Sequence, residues 1–459
     1  MGGVAVYAST KPNSSATDLV LALLIELQHR GQEATGITVA YTDGNMLRHT
    51  SRGTALDLLN NGFAPQIPTG TVFGVLGYTK YSASVGLDPE SQPIIVEDKG
   101  FRIAVAFDGA IANYRLLAKE LNLRNRESYV HAFSEAIHKL ALEYGKDVVE
   151  AIRELSTMAI GGYSITIITS EPRIVIARDP HGFRPLAYLF DGEKFLASSE
   201  SSALEVLGYS RWREVLHGEI ISFDGKSLEI TRVPAEAPTP CVFEYVYIAR
   251  LDTIFNGINV YDVRVGLGYE LAKIAPANAD VVIPVPDSGR AAAIGYSKGS
   301  GIPFEEGLVA NRYLGRGFIM SPGLREVIAK LKYGIIKSSI HRKRIALVDD
   351  SIVRGTTMAA IASRLRDLGA KEVHIRISCP PFMYPCFVGV DVASKKELLA
   401  WKTMGSREIA RALNADTVAF NTIENLIEVV GLPSLCIACF TGIYPFKDFS
   451  AEDLGETFS

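Results

Sequence analysis

IALVDDSIVRGTTMAAIASRLRDLGA, at residues 345–370, is the stretch that decides how the second half of this chain folds. Its first four residues are apolar and predict a short buried strand. Apolar residues then recur from Met358 to Leu368 at helical spacing, and Gly369 supplies a stop. A strand, a polar loop and a helix in this order predict an α/β sheet that binds a ligand at the carboxyl ends of its strands.

The loop between this strand and helix carries the chemistry. Two adjacent carboxylates, Asp349 and Asp350, can hold ribose hydroxyls and a hard divalent cation. The free N–H groups of such a loop, with the helix N-terminus behind it, attract a phosphate monoester. A solvated surface turn is the alternative, but such a turn would not need a strand, an acidic pair, a polar loop and a helix in this order. The loop residues predicted to bind phosphate are Ser351, Arg354, Gly355, Thr356 and Thr357.

A second loop of this kind lies in residues 281–294, VVIPVPDSGRAAAI. The turn formed by Asp287, Ser288 and Gly289 offers backbone N–H groups suited to a leaving pyrophosphate. By itself this turn is better explained as a plain surface loop, and only its pairing with the first loop predicts a ligand site. Residues 311–332, which are rich in glycine and positive charge, predict a mobile lid, with a solvated loop as the alternative.

The overall composition excludes several classes of function. The chain has 459 residues, enough for two or three domains, and is 47% hydrophobic and 21% charged, as is ordinary for a globular enzyme. A net charge of −4 gives no reason to expect nucleic acid or an anionic membrane as a partner. No apolar run reaches the length of a membrane span, and five cysteines argue against a secreted disulfide framework. We therefore expect a cytoplasmic protein.

Residues 231–240, TRVPAEAPTP, predict a linker because three prolines interrupt any apolar periodicity. Before it, residues 1–230 contain many short β-like runs and two helical stretches, a pattern typical of layered α+β architecture. After it, strands alternate with helices through residues 241–459, which predicts a parallel α/β domain.

Several stretches of the second half resemble the glutamine phosphoribosylpyrophosphate (PRPP) amidotransferases. Besides the two loops, they are CVFEYVYIAR (241–250), NRYLGRGFIM (311–320) and PPFMYPCFVGVD (380–391). The resemblance implies a type I phosphoribosyltransferase domain that forms 5-phosphoribosylamine from PRPP in the first step of purine synthesis. It implies that PRPP contacts both loops and Lys330. The Mg²⁺ positions of the family match Ser288, Asp349 and Asp350.

The cysteines suggest a metal centre. Cys436 and Cys439 form a CxxC pair, a spacing that can chelate iron or zinc. One subgroup of the family carries a 4Fe–4S cluster on positions that match Cys241, Cys386, Cys436 and Cys439, so the resemblance implies such a cluster here. Zinc or reduced buried thiols are the alternatives, and Cys379 is surplus to the set.

Residues 1–230 resemble the glutaminase domain of the same family, which has the αββα fold of N-terminal-nucleophile enzymes. LQHRGQEATGI (27–37) and RDPHGFRPLAY (178–188) carry this resemblance. The fold class predicted for the whole chain is therefore an α+β glutaminase-like domain followed by an α/β type I phosphoribosyltransferase domain.

The chemistry of the glutaminase does not match. Gly2 stands where the family has its nucleophilic cysteine, and glycine cannot form a thioester. Lys80 replaces the arginine that grips the glutamine carboxylate, and Asp108 replaces the asparagine of the oxyanion element. A carboxylate at position 108 would repel a developing oxyanion. We expect no catalytic residue in this domain.

These features predict an aminating transferase that uses free ammonia or ammonia from a separate glutaminase-competent subunit. The alternative is a regulatory paralogue that binds PRPP and modulates an active amidotransferase. Family resemblance implies a homo- or hetero-oligomer.

Overall fold

The computed structural model describes residues 2–9, 11, 13, 15–60, 71–81, 92–234, 237–311, 331–392, 394–403 and 405–446. Two antiparallel sheets lie in the first half of the chain and a parallel sheet lies in the second. None of the helices in these ranges combines the length and the apolar character needed to cross a membrane.

The first half stacks its two sheets face to face. Apolar side chains from both sheets, among them Val6, Leu76, Ile168 and Phe223, form a dry layer between them. The seven-stranded sheet has the order β11-β9-β10-β1-β4-β2-β3, with β1 (Gly2–Ser9), β2 (Ala34–Tyr41), β3 (Met46–Arg52), β4 (Val72–Lys80), β9 (Ala187–Phe190), β10 (Lys194–Ser198) and β11 (Arg213–Glu214). The six-stranded sheet has the order β13-β12-β8-β7-β6-β5, with β5 (Ile94–Asp98), β6 (Phe101–Ile111), β7 (Gly161–Thr169), β8 (Arg173–Arg178), β12 (Glu219–Phe223) and β13 (Leu228–Arg232).

Helices cover the outer face of each sheet. Side-chain caps fix where two of them begin, because Ser128 and Asp147 accept hydrogen bonds from N–H groups of the following turn. The predicted αββα layering is thus confirmed. The helices on the seven-stranded sheet are α1 (Ala16–Glu26), α2 (Ala55–Asn60) and α6 (Ser201–Val206), and those on the six-stranded sheet are α3 (Tyr114–Glu120), α4 (Tyr129–Glu143) and α5 (Val148–Met158).

The second half is built on a four-stranded sheet in which all neighbouring strands are parallel. Its order is β16-β19-β20-β21, with β16 (Val281–Pro284), β19 (Arg344–Asp349), β20 (Glu372–Ile377) and β21 (Thr417–Phe420). Two small antiparallel pairs accompany it, β14 (Ile254–Phe255) with β15 (Ile258–Asn259) and β17 (Leu308–Ala310) with β18 (Tyr333–Ile335). The helices are α7 (Val260–Ile274), α8 (Arg290–Ser300), α9 (Lys337–Ile340), α10 (Thr356–Asp367), α11 (Leu399–Lys402), α12 (Ser406–Ala412), α13 (Ile423–Val430) and α14 (Ala438–Thr441). This α/β fold is the one predicted.

Two glycines bring α7 and α8 into backbone contact. A Cβ atom added to Gly268 would lie 1.9 Å from the Ala292 carbonyl oxygen, and one added to Gly295 would lie 1.9 Å from the Val265 oxygen. Only glycine permits this approach, which fixes α8 and therefore the loop that precedes it.

The predicted linker at residues 231–240 forms hydrogen bonds with neighbouring segments. Strand β13 continues to Arg232, and Thr239 N–H donates to the His181 carbonyl at 2.8 Å. Pro240 lacks a donor, but its carbonyl still accepts from Cys436 N–H at 2.9 Å. Much of this segment therefore packs against its neighbours; residues 235–236 lie outside the described ranges.

Candidate active site

The predicted phosphate loop lies at the carboxyl end of the parallel sheet. β19 ends at Asp349 and α10 begins at Thr356. Between them, Gly355 has a φ angle of 78°, a left-handed conformation that favours glycine. This turn starts α10 beside the loop, as the sequence predicted.

One cavity of about 330 Å³ brings most of the predicted ligand-binding residues together. Asp287 instead lines a neighbouring cavity, and Ser288 lines both. Gly289 lies beneath, where an added Cβ would come within 2.6 Å of the Val348 carbonyl oxygen. Lys330 and residues 312–329 of the predicted lid lie outside the described residues. The predicted residues that line the cavity are Ser288, Asp349, Asp350, Ser351, Arg354, Gly355, Thr356 and Thr357.

The paired carboxylates form an electrostatically unfavourable site. Burial, and then the neighbouring charge of Asp350, raise the pKa of Asp349 well above its ordinary value. Ser288 Oγ donates to Asp349 Oδ1 at 3.4 Å, and the Ser351 hydroxyl donates to Asp350. A divalent cation would relieve this repulsion, and two carboxylates with a hydroxyl are the oxygen donors that Mg²⁺ prefers.

Among the residues of the cavity wall to which sequence reasoning gave no role are the aromatic residues Tyr81, Phe243 and Tyr247, while Lys332 is the last residue of the predicted lid. Lys332 lies close enough to oppose the rise in the pKa of Asp349. Tyr81 follows β4, so the first half of the chain contributes directly to the ligand cavity of the second. Phe243 and Tyr247 lie within CVFEYVYIAR, a motif that indicated the family but not their role.

In the first half, an aromatic ring fills the space beside Gly2. A Cβ atom added to Gly2 would lie 2.4 Å from Tyr78 Oη and 2.5 Å from two ring carbons. Tyr78 is buried on β4, so the ring has protein around it. A cysteine side chain at position 2 would therefore collide with it. Only the sequence GYTKYSA, in which Tyr78 precedes Lys80, could have pointed to this residue.

A buried ion network surrounds the same position. Arg30 is fully buried, and its guanidinium makes ion pairs of 2.6 Å with Asp108, 2.7 Å with Glu200 and 2.9 Å with Glu244. Arg184 also binds Glu244, at 2.8 Å. Because Glu244 belongs to the second half of the chain, this network joins the two halves.

Asp108 is held as a carboxylate in this network. It accepts from Gly2 N–H at 2.8 Å, and Arg30 Nε donates to the Gly2 carbonyl at 3.0 Å. Burial alone would raise the pKa of Asp108, but Arg30 and Arg184 outweigh it and lower that pKa below its ordinary value. Lys80 is the last residue of β4, and it lies opposite Gly2 in the antiparallel pairing of β4 with β1.

The four cysteines of the predicted set line one small buried cavity. Cys241 and Cys436 form a parallel bridge through their backbones. Burial raises the pKa of Cys241 to about 12, so without a metal it is a neutral thiol. Cys379 lies apart, with its N–H bonded to the Asp350 carbonyl at 3.2 Å. All four side chains are sulfur donors, but no group of three or more His, Cys, Asp or Glu side chains in the described ranges has metal-binding geometry.

Comparisons with known proteins agree with this architecture. A family model described as a glutamine amidotransferase domain matches residues 80–206. An amidophosphoribosyltransferase of Methanothermobacter thermautotrophicus is 40% identical over 97% of this chain and 94% of its own. One from Pyrococcus horikoshii is 41% identical over 92% of each chain. The solved structure of the glutamine PRPP amidotransferase from Bacillus subtilis with ADP and GMP has a TM-score of 0.85 and 33% identity, covering 99% of this chain and 100% of that one. The chain belongs to the amidophosphoribosyltransferase family.

Proposed function

We propose that this protein makes 5-phosphoribosylamine from PRPP, the first step of purine synthesis, with ammonia that it does not release from glutamine itself. The observation that carries the proposal is the Tyr78 ring in the space beside Gly2. The cavity proposed for PRPP is lined by polar groups, whereas position 2 offers no nucleophile and the Tyr78 ring lies beside it.

In the second half, positioning and charge neutralisation supply the catalysis. The loop from Ser351 to Thr357 would bind the 5-phosphate, and Asp287, Ser288 and Gly289 would bind the pyrophosphate. Asp349 and Asp350 would orient the ribose. Ammonia would attack C1 with inversion as the C1–O bond to pyrophosphate breaks, and the resulting ammonium group would lose a proton to water.

Mg²⁺ fits the same carboxylates. Asp349 and Asp350 would hold it with Ser288, and the phosphates of PRPP would complete its shell, since Mg²⁺ commonly binds through one or two carboxylates and substrate phosphates. When bound, the cation would neutralise the leaving pyrophosphate. Lys332 would contribute further positive charge beside Asp349, and Lys330 is carried over from the family pattern.

In the first half, three features oppose glutamine hydrolysis. Gly2 supplies no nucleophile, and Tyr78 occupies the adjoining space. The ionised carboxylate of Asp108 would repel an oxyanion. The ammonia would therefore come from solution or from a separate glutaminase-competent subunit in a homo- or hetero-oligomer.

The cysteine cavity is proposed to hold a structural 4Fe–4S cluster on Cys241, Cys386, Cys436 and Cys439. Val390 N–H donates to Cys386 Sγ at 3.3 Å, a contact of the kind that orients a ligating sulfur. Such a cluster would join the segment around Cys436 to the start of the second half. We also propose the domain division at residues 231–240 and a cytoplasmic location.

The test is an assay of phosphoribosylamine formation with PRPP, Mg²⁺ and either ammonium chloride at alkaline pH or glutamine. We expect product with ammonia and none with glutamine, and no glutamate release by the pure protein. Glutamate release would contradict the proposal. PRPP binding without turnover, together with co-purification of an active homologue, would instead favour the regulatory paralogue.

A further inference from the structure

Asp108 accepts a hydrogen bond with each of its two carboxylate oxygens, and its side chain is fully buried. Oδ1 accepts from Gly2 N–H at 2.8 Å, and Oδ2 accepts from Arg30 Nη2 at 2.6 Å. An amide has only one acceptor oxygen, so asparagine would turn its NH₂ group toward one of these two N–H donors. That donor would be left buried without its partner, which is costly. The geometry therefore selects a carboxylate over the asparagine that the family resemblance implies here.

Arg30 connects Asp108 to the second half of the chain. Its guanidinium has five N–H donors, and all five are used. Nε donates to the Gly2 carbonyl, Nη1 donates to Glu200 and Glu244, and Nη2 donates to Asp108 and Glu244. Because the guanidinium is planar, its bonds to Asp108 and Gly2 fix the direction from which it meets Glu244.

Glu244 lies in the segment that carries two aromatic residues of the ligand cavity. Phe243 precedes it and Tyr247 follows it, and both line that cavity, with their ring centroids 5.8 Å apart. Arg264 holds the same segment by donating to the Tyr245 carbonyl at 2.8 Å. The places of the two rings therefore depend on the buried ion network as well as on Arg264.

The third aromatic residue of the cavity wall, Tyr81, depends on the same group. It directly follows Lys80, which lies opposite Gly2 in the pairing of β1 with β4. Gly2 is held at its N–H by Asp108 and at its carbonyl by Arg30. These bonds therefore fix the end of β4 from which Tyr81 reaches the cavity.

We infer that Asp108 is a positioning residue for the ligand cavity, because through Gly2 and Arg30 it sets the places of Tyr81, Phe243 and Tyr247. The inference rests on the proposed function in that PRPP is taken as the ligand of this cavity. It deepens that function, since it gives the first half of the chain a part in PRPP binding that needs no glutamine.

Asp108→Asn tests the inference, because asparagine has nearly the same size and lacks the second acceptor. The dissociation constant for PRPP is measured by calorimetry with Mg²⁺, and KM for PRPP and kcat are measured with ammonium chloride. We expect the dissociation constant and KM to rise by about fivefold or more, the scale on which residues that act through others shift a binding site. The value of kcat should change by less than about twofold, because the reacting groups are untouched. If this variant does not fold, Asp108→Ser replaces it.

Two further variants separate positioning from a general loss of stability. Asp147→Ala removes the side-chain cap of α5 and is the control. It should lower the melting temperature and leave both constants for PRPP unchanged. In a Tyr247→Leu background, Asp108→Asn should weaken PRPP binding by a smaller factor than in the wild type, because one of the rings that it positions is then missing.

The outcomes distinguish this inference from the proposed function. A folded Asp108→Asn or Asp108→Ser variant that binds PRPP as the wild type does would overturn the inference and leave the amination intact. Equal effects of Asp147→Ala and Asp108→Asn on PRPP binding would also reject it, and so would an undiminished effect in the Tyr247→Leu background. A wild-type protein that binds no PRPP would overturn the proposed function, and the inference with it.

Discussion

Gly2→Ala measures how firmly Tyr78 fills the space beside Gly2. Alanine adds one methyl group, and its carbon would lie 2.4–2.5 Å from Tyr78 Oη and two ring carbons, where ordinary contacts are 3.4–4 Å. The ring is buried, so moving it would disturb the residues packed around it. Overpacking of this kind costs about 1–3 kcal/mol of the free energy of unfolding. We expect that loss, as a lower denaturant midpoint with an unchanged m-value.

A double-mutant cycle isolates the collision. In a Tyr78→Leu background the added methyl group has room, so the penalty of Gly2→Ala should disappear, giving a coupling of about 1–3 kcal/mol between the two positions. Gly334→Ala is the control, because the nearest atom to its added Cβ is 3.8 Å away. It should be neutral or slightly stabilising, by about 0.4–1 kcal/mol at most. If Gly2→Ala changes the free energy of unfolding no more than Gly334→Ala does, the Tyr78 ring moves aside at little cost. That result would refute the steric reasoning.

Three further predictions concern the buried charges and thiols. Asp349→Asn should lower kcat/KM for PRPP by at least about a hundredfold; without Mg²⁺ and PRPP it should also raise the melting temperature at pH 8 more than at pH 5. The reason is that the pKa of Asp349 in the folded protein lies above its unfolded value of about 3.9. The stability that this carboxyl group contributes is therefore present at low pH and is lost as the pH rises. An equal effect of the substitution at both pH values would contradict this reasoning. Glu244→Gln should destabilise the fold by about 3–5 kcal/mol in denaturant unfolding, because it leaves Arg30 and Arg184 without their shared buried carboxylate. The control Glu193→Gln removes an exposed pair with Lys11 and should change nothing measurable; similar effects of the two variants would reject the network. Cys436→Ser should abolish bound iron and sulfide, and Cys379→Ser should retain both, in elemental analysis of anaerobically purified protein. The reason is that Cys436 lines the cavity shared by the four cysteines and Cys379 does not. Iron retained in Cys436→Ser, or zinc in its place, would contradict the cluster.

The two loops predicted to bind phosphate could be located from the sequence because the pattern that marks them is local. A strand, a polar turn and a helix are consecutive in sequence, and the loop from Ser351 to Thr357 lies where that order predicts. The glycine at position 2 could also be recognised from the sequence, because the identity of a single residue does not depend on the fold. Arg30 lies within the motif LQHRGQEATGI, but nothing along the chain indicated that it would meet Glu244, 214 residues away.

Local periodicity and the identity of single residues determined the two-part architecture, the acidic pair at Asp349 and Asp350 and the absence of a thiol at position 2. The tertiary structure decided everything that depends on distant segments: Tyr78 against Gly2, Arg30 among three carboxylates and Tyr81 in the ligand cavity. The physical reason is that hydrogen bonding and side-chain periodicity act over a few residues. Burial, charge pairing and excluded volume act between atoms that only the folded chain brings together.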